Sequence, residues 1–165
     1  MNEKQEIRKA VIEDLPQIVE IYNLSIPGRL ATADTEPVSI ESRLDWFHAH
    51  HDKRPLLVVE ENNTILAFLS FKSFYGRPAY HITAEIGIYI HPDYQKKGFG
   101  KILLQKAIDE APNLQLENLL GFIFGHNEPS IKLFKKFGFT EWGVLKEVGK
   151  MDGKYVDLII FGRRI

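Results

Sequence analysis

The sequence contains no cysteine. That absence excludes disulfides, thiolate zinc sites and a cysteine-linked acyl-enzyme together, and it agrees with a reducing compartment. Charge of one sign is not in excess either. Lys and Arg number 21 against 22 Asp and Glu, a formal net charge of −1, so a broad basic footprint for nucleic acid is not expected. No apolar run approaches the roughly 20 residues of a membrane span. Met1-Asn-Glu-Lys-Gln-Glu-Ile-Arg carries no apolar stretch of the kind a secretory leader needs. Repeats, low-complexity runs and linkers are missing as well. These absences lead to the expectation of a cytoplasmic protein without membrane or nucleic-acid partners. Its 165 residues suit a single domain spanning residues 1–165, long enough to bury roughly 70% of the unfolded chain's surface.

What is present is a run of alternating and helical periodicities. Ile7 to Ala10 reads as a short strand. Glu13-Asp14-Leu15-Pro16 then opens a helix whose apolar face is Ile18, Val19, Ile21 and Tyr22. Ser25 to Pro37 has no period and reads as loop. Ser39 to His50 reads as a second helix with Ser39 as N-cap. Leu56 to Val59 and Ile65 to Phe71 form a hairpin across Glu61-Asn62-Asn63. Tyr80 to Ile90 reads as one long strand, Gly100 to Glu110 as a helix, Leu119 to Phe124 as a buried strand and Ser130 to Phe137 as a helix. Thr140 to Val148 and Tyr155 to Phe161 form a last hairpin across Asp152-Gly153. The order β-α-α-β-β-β-α-β-α-β-β implies an α/β (α+β) fold with a mixed sheet, because strands at each end lie too close for parallel crossovers.

The chemistry concentrates around Gln95-Lys96-Lys97-Gly98-Phe99-Gly100, between a strand and a helix. Glycines let the backbone approach a ligand, and the helix start offers free N–H groups and partial positive charge. Lys96, Lys97 and Lys101 add mobile charge. A P-loop would need Ser or Thr after Gly100-Lys101, where Ile102 stands. A dinucleotide fingerprint would need Gly at position 103, which is Leu103. From the loop alone, an anion site and a plain turn both stay open. On the preceding strand, alternation puts Thr83, Glu85, Gly87 and Tyr89 on one face and Ala84, Ile86, Ile88 and Ile90 on the other. Glu85 is then a mid-strand, partly desolvated carboxylate suited to general-base work. The alternative is a Glu paired with a lysine or arginine of a neighbouring strand. Further on, Asn127 precedes a helix that Pro129 opens, and capping is its commoner role. His48, His50 and His51 lack the i, i+4 pair of a helical zinc site and read as a solvated helix end, so no metal is expected. Trp46 and Phe47 read as packing. His91 and His126 flank the cleft as candidate secondary bases. There is no Gly-x-Ser-x-Gly elbow.

Gln95-x-x-Gly98-x-Gly100 after Ile88-Tyr89-Ile90, with Asn127-x-x-Ser130 through Lys136-Phe137-Gly138-Phe139, resembles the GCN5-related N-acetyltransferase (GNAT) superfamily over essentially the whole chain. Thr35-Glu-Pro-Val38, Arg43-Leu-Asp-Trp46-Phe47 and Tyr75-Gly-Arg77-Pro-Ala-Tyr80-x-x-Thr83-x-Glu85 resemble its phosphinothricin acetyltransferase-like branch. The resemblance implies a mixed, mostly antiparallel sheet flanked by helices. It also implies acetyl-CoA as co-substrate and the α-amine of phosphinothricin, methionine sulfoximine or a related amino acid as acceptor. Ile88, Tyr89 and Ile90 would meet the pantetheine arm. Gln95, Lys96, Lys97, Gly98, Phe99, Gly100 and Lys101 would cradle the pyrophosphate, and Asn127 and Ser130 would complete the coenzyme site. Glu85 would be the base, with Arg77, Tyr80 and Thr83 near the acceptor. A homodimer is implied too. Many members carry Tyr as general acid where this chain has Phe134, which cannot donate a proton. The departing thiolate must then draw a proton from water or a backbone-held donor, or leave without one, which a thiol pKa of about 8.5 tolerates. Another amine as acceptor, or a non-catalytic acyl-CoA-binding module, are the competing readings.

Overall fold

Short apolar stretches separated by turn residues assemble into one sheet. In the computed structural model, which describes residues 5–165, the strands are β1 (Gln5–Lys9), β2 (Leu56–Glu61), β3 (Thr64–Ser73), β4 (Thr83–Ile90), β5 (Asn118–Phe124), β6 (Thr140–Met151) and β7 (Lys154–Arg164). The helices are α1 (Leu15–Ser25), α2 (Leu44–His48), α3 (Phe99–Glu110) and α4 (Glu128–Lys136). The sheet has seven strands in the order β1-β2-β3-β4-β5-β7-β6. Every pairing is antiparallel except the short parallel contact of β4 with β5. The mostly antiparallel sheet implied by the resemblance is therefore what forms. The N-terminal stretch read for a leader lies partly outside the described residues.

Turn chemistry sets the hairpins. Asn62 and Asn63 both adopt positive φ (51° and 63°), as do Asp152 and Gly153 (49° and 80°). That is the backbone twist that two-residue hairpin loops require, and Asn, Asp and Gly adopt it at least cost. β3 is buried along most of its length because helices cover both sheet faces. One layer joins Leu57, Leu69, Phe71, Ile86 and Leu119 to Leu103, Leu104 and Ala107 of α3 and Phe134 of α4. The other sets Ile18 and Ile21 of α1 against Leu56, Val58, Ile65 and Phe68. Each of the larger side chains among them contributes roughly 1.5–3 kcal/mol on burial.

Two expectations need correction. The strand read from Tyr80 begins only at Thr83, because Pro78–Tyr80 closes as a 3-10 turn with Tyr80 N–H donating to the Arg77 carbonyl at 2.9 Å. The helix read over Ser39 to His50 is a 3-10 turn, Glu41–Arg43, running into the short α2. The Ser39 hydroxyl caps it by accepting from Ser42 N–H at 3.1 Å. No residue of α2 is fully buried, so little packing energy is available to lengthen it.

Candidate active site

The parallel contact between β4 and β5 covers only Thr83–Asn118, Ala84–Leu119 and Glu85–Leu120. Beyond it the two strands separate. His91 N–H donates to the Leu66 carbonyl, which fixes the phase of the β3–β4 ladder. By alternation Glu85, Gly87 and Tyr89 bond to β3, and Ile86, Ile88 and Ile90 aim their backbone groups the other way. The Ile82 carbonyl, in the same phase, already accepts from Glu117 and Asn118 N–H. Ile88 and Ile90 thus present a free strand edge to the gap, with no β5 pairing beyond Leu120 among the described residues.

The loop that follows turns sharply into α3. Lys96 has φ 61° and Gly98 φ 92°, and Gly98 is the residue before the helix. The N–H groups of Lys96 through Gly100 find no protein acceptor among the described residues. They stand at the positive end of a helix, a combination that suits an anion. Gly100 packs against the neighbouring elements, since a Cβ there would come within 3.2 Å of Leu133 and 3.6 Å of Ile90. Phe99 is buried in the core, so only its backbone faces a ligand. The Lys97 ammonium lies 4.7 Å from the centre of the Tyr94 ring, a cation–π contact. Lys96 and Lys101 form no ion pair among the described residues.

On the opposite face of β4 lies a cavity of about 500 Å³, walled by α1, the segment after it, β3, β4, β5 and the outer hairpin. Glu85 and Gly87 line it, with Lys72 and Ser70 beside them on β3 and Phe122 and Phe124 across the gap on β5. Lys72 Nζ stands 3.8 Å from the Glu85 carboxylate, and the two side chains are 63% and 33% exposed. The strand-neighbour pairing left open in the sequence is therefore present, and the Glu85 side chain is half-buried. Tyr89 stacks on Phe68 at 4.9 Å and donates to the Ala31 carbonyl at 3.2 Å. Its burial, with Tyr22 beside it, pushes the phenol far above its ordinary value. The Tyr89 side chain therefore lines the cavity, and only its backbone lies between Ile88 and Ile90. Tyr22 donates to Asp34 at 2.5 Å, and Arg43 also donates to Asp34, at 2.9 Å, while lying 4.2 Å over the Tyr22 ring.

Other residues singled out in the sequence fall elsewhere. Arg77 and Tyr80 line a separate hollow with the basic side chains of His51, Lys53, Arg54 and His81, so a single chain does not bring them to Glu85. Thr83 is buried and accepts from Asn118 Nδ2 at 3.1 Å. Asn127 is buried with both polar ends engaged. Its Oδ1 accepts from Ser130 N–H at 3.2 Å, and its Nδ2 donates to the Leu30 carbonyl at 2.9 Å. It caps α4 and ties the segment after α1 to that helix. Phe134 is a core residue whose ring lies over Gly121 of β5. The His126 ring is bonded to the Arg29 carbonyl at 2.7 Å, and His91 accepts from Asp93 N–H at 3.3 Å.

His50 corrects an expectation outright. It is not part of a solvated helix end but is largely buried, with Nε2 3.0 Å from the Ser70 hydroxyl and Nδ1 2.9 Å from the Trp46 carbonyl. Ser70, Lys72, Tyr22 and Arg43 were not foreseen as lining residues. Lys72 was findable, because the β3–β4 register sets it opposite Glu85.

A family model described as "Acetyltransferase (GNAT) family" matches residues 15–139. The Bacillus subtilis (strain 168) protein YwnH, provisionally named a phosphinothricin acetyltransferase, is 52% identical over 160 residues, 96% of this chain and 98% of its own length. An L-methionine sulfoximine/L-methionine sulfone acetyltransferase of Salmonella typhimurium is 33% identical over 153 residues, 92% of this chain and 90% of that protein. The crystal structure of a GNAT superfamily phosphinothricin acetyltransferase from Sinorhizobium meliloti, in complex with AcCoA, matches with a TM-score of 0.89. Its identity is 29%, covering 98% of this chain and 89% of that chain.

Proposed function

The chain belongs to the acetyltransferase (GNAT) family, and on that premise we propose that it acetylates the α-amine of a small amino-acid-like acceptor, of the phosphinothricin or methionine sulfoximine type. The observation that carries this reading is the parting of β4 from β5 beyond the Glu85–Leu120 pair. On one side of it lie the free edge of Ile88 and Ile90 and the unpaired N–H groups of Lys96 through Gly100. On the other lies the cavity that holds Glu85.

Acetyl-CoA, as co-substrate, supplies the acetyl group as a thioester. The chain's own work is positioning and proton handling. The loop from Gln95 to Lys101 receives the pyrophosphate through its N–H groups and lysines. The edge of Ile88 and Ile90 takes the amide-bearing arm as an added strand would be taken, and Asn127 and Ser130 bound it from α4. Glu85 accepts the ammonium proton of the acceptor, and the Ile88 N–H polarises the carbonyl that is attacked. Lys72 and Arg43 offer positive charge to an acidic group on the acceptor, at the sites that Arg77, Tyr80 and Thr83 do not reach within one chain. Phe134 leaves the departing sulfur without a side-chain acid from that position.

We read residues 1–165 as a single domain in a cytoplasmic homodimer. The exposed Trp142, Val144, Leu145, Val148 and Tyr155 of the outer hairpin support self-association. No helix among the described residues is long and apolar enough to cross a membrane. The test is release of free CoA from acetyl-CoA with a panel of amines, L-methionine sulfoximine and phosphinothricin first. Turnover with these two supports the reading. Turnover only with polyamines or peptide N-termini overturns the acceptor class, and coenzyme binding without any transfer overturns the enzyme.

A further inference from the structure

We propose that Ser70 and His50 form a proton relay that leads from the acceptor cavity to a second hollow on the far side of β3. The proposal rests on the acetyltransferase reading and adds a route for the proton that the reaction must remove.

Ser70 is buried, 7% exposed, yet it lines the cavity that holds Glu85. Its partner across the β3–β4 ladder is Gly87. A Cβ at Gly87 would meet nothing closer than Tyr89 at 3.4 Å, so packing does not demand glycine there. Ser70 lines the cavity opposite that glycine. Behind Ser70 stands His50, its Nε2 3.0 Å from the hydroxyl. Trp46 O lies 2.9 Å from Nδ1, and a carbonyl only accepts, so Nδ1 carries the hydrogen and Nε2 holds the lone pair. Ser70 therefore donates to His50. The Trp46 ring, edge-on at 4.8 Å, holds the imidazole in place. His50 also lines a hollow of about 140 Å³ with Lys9, Phe47, His51 and Asp52, which gives the chain of groups an outer end.

The transfer balances. Glu85 takes the proton from the acceptor ammonium and passes it on, through water in the cavity that both residues line, to Ser70 Oγ; the hydroxyl's own proton passes to His50 Nε2, and the resulting imidazolium sheds one proton to water in the outer hollow. Burial, with His51 adjacent, pushes His50 below its ordinary value, against the pull of the Phe47 and Trp46 carbonyls. That shift favours the neutral ring, the form that can accept a proton. The charged and titratable groups that face the relay are His51, Lys9 and Asp52 at the outer end and Lys72 and Glu85 at the inner end.

The test compares wild type, Ser70→Ala, Ser70→Thr, His50→Gln and the Ser70→Ala/His50→Gln pair for turnover of L-methionine sulfoximine as a function of pH. Ser70→Ala and His50→Gln should each lower kcat about tenfold or more, and the pair no further than either alone. KM for acetyl-CoA should not change, and Ser70→Thr should keep most activity. The loss should shrink as pH rises, because more of the acceptor then arrives already neutral. A structural role alone would give a loss independent of pH. A pH-independent loss, or kcat in Ser70→Ala indistinguishable from wild type, overturns the relay. A wild type that acetylates no amine overturns the acetyltransferase reading beneath it.

Discussion

Gly121→Ala would test the packing that sets the distance between β5 and α4. A Cβ at Gly121 would lie 2.3 Å from Phe134 Cε1, 2.9 Å from Cζ and 3.0 Å from Cδ1. Carbon atoms in contact sit about 3.5–4.0 Å apart, so the ring must retreat by more than about 1 Å. It has little room, since it is 7% exposed and packs against Phe139 at 4.8 Å and Phe161 at 6.4 Å. Overpacking of this kind costs about 1–3 kcal/mol, offset by about 0.5–1 kcal/mol from removing a strand glycine. The net of about 1–2 kcal/mol should lower Tm by about 2–8 °C in a chain of this size. Urea unfolding with paired thermal melts would measure it, and adding Phe134→Leu should recover part of the loss as a coupling of about 0.5–3 kcal/mol. A Gly121→Ala protein as stable as wild type, or strictly additive single effects, would refute the argument.

Glu85→Gln should lower kcat about 10²–10⁴-fold with acetyl-CoA affinity kept. The Lys72–Glu85 pair is too exposed to be worth more than about 1 kcal/mol, so a parallel collapse in Tm would point away from chemistry. Gly98→Ala meets no atom within 4 Å but must adopt φ 92°, a backbone strain of about 1–3 kcal/mol. KM for acetyl-CoA should rise more than kcat falls, which steady-state kinetics at saturating acceptor would read. Burial pushes the Asp14 carboxyl up, but hydrogen bonds from Arg8 and Val11 N–H and the Arg8 charge outweigh it and hold the group below its ordinary value. Its contribution to stability is thus present above the ordinary carboxylate value and lost as pH falls through the lower folded value. Arg8→Met should cost about 3–5 kcal/mol near neutral pH and flatten that acid limb in denaturation midpoints measured against pH.

The parts of this protein that could be read from the chain are those set by residues close together in it. Alternation along Thr83 to Ile90 assigned both faces of β4, because successive side chains in a strand must point opposite ways. Asn62-Asn63 and Asp152-Gly153 announced hairpin turns, and Gly98 the tight entrance to α3, because few residues tolerate positive φ. Pro78 carried the signal that β4 starts late, but the strand-forming Tyr80 and Ile82 masked it.

Tertiary structure alone decided how the site is furnished. The parting of β4 from β5 depends on strands joined through α3, and no local period encodes it. Ser70 meets His50 across 20 positions, and Asn127 reaches Leu30 across 97; such partners are chosen by strand order and helix packing. His50 reads as part of a solvated helix end because the histidine spacing lacks an i, i+4 pair, while in space its ring meets the Trp46 carbonyl and the distant Ser70. The branch resemblance puts Arg77 near the acceptor, yet after the Pro78 turn it lines another hollow. By itself the sequence determined most of the strands, the turns and the tight entrance to α3 at Gly98, since backbone sterics and periodicity act locally. Which side chains share the cavity was decided only when the sheet brought distant strands together.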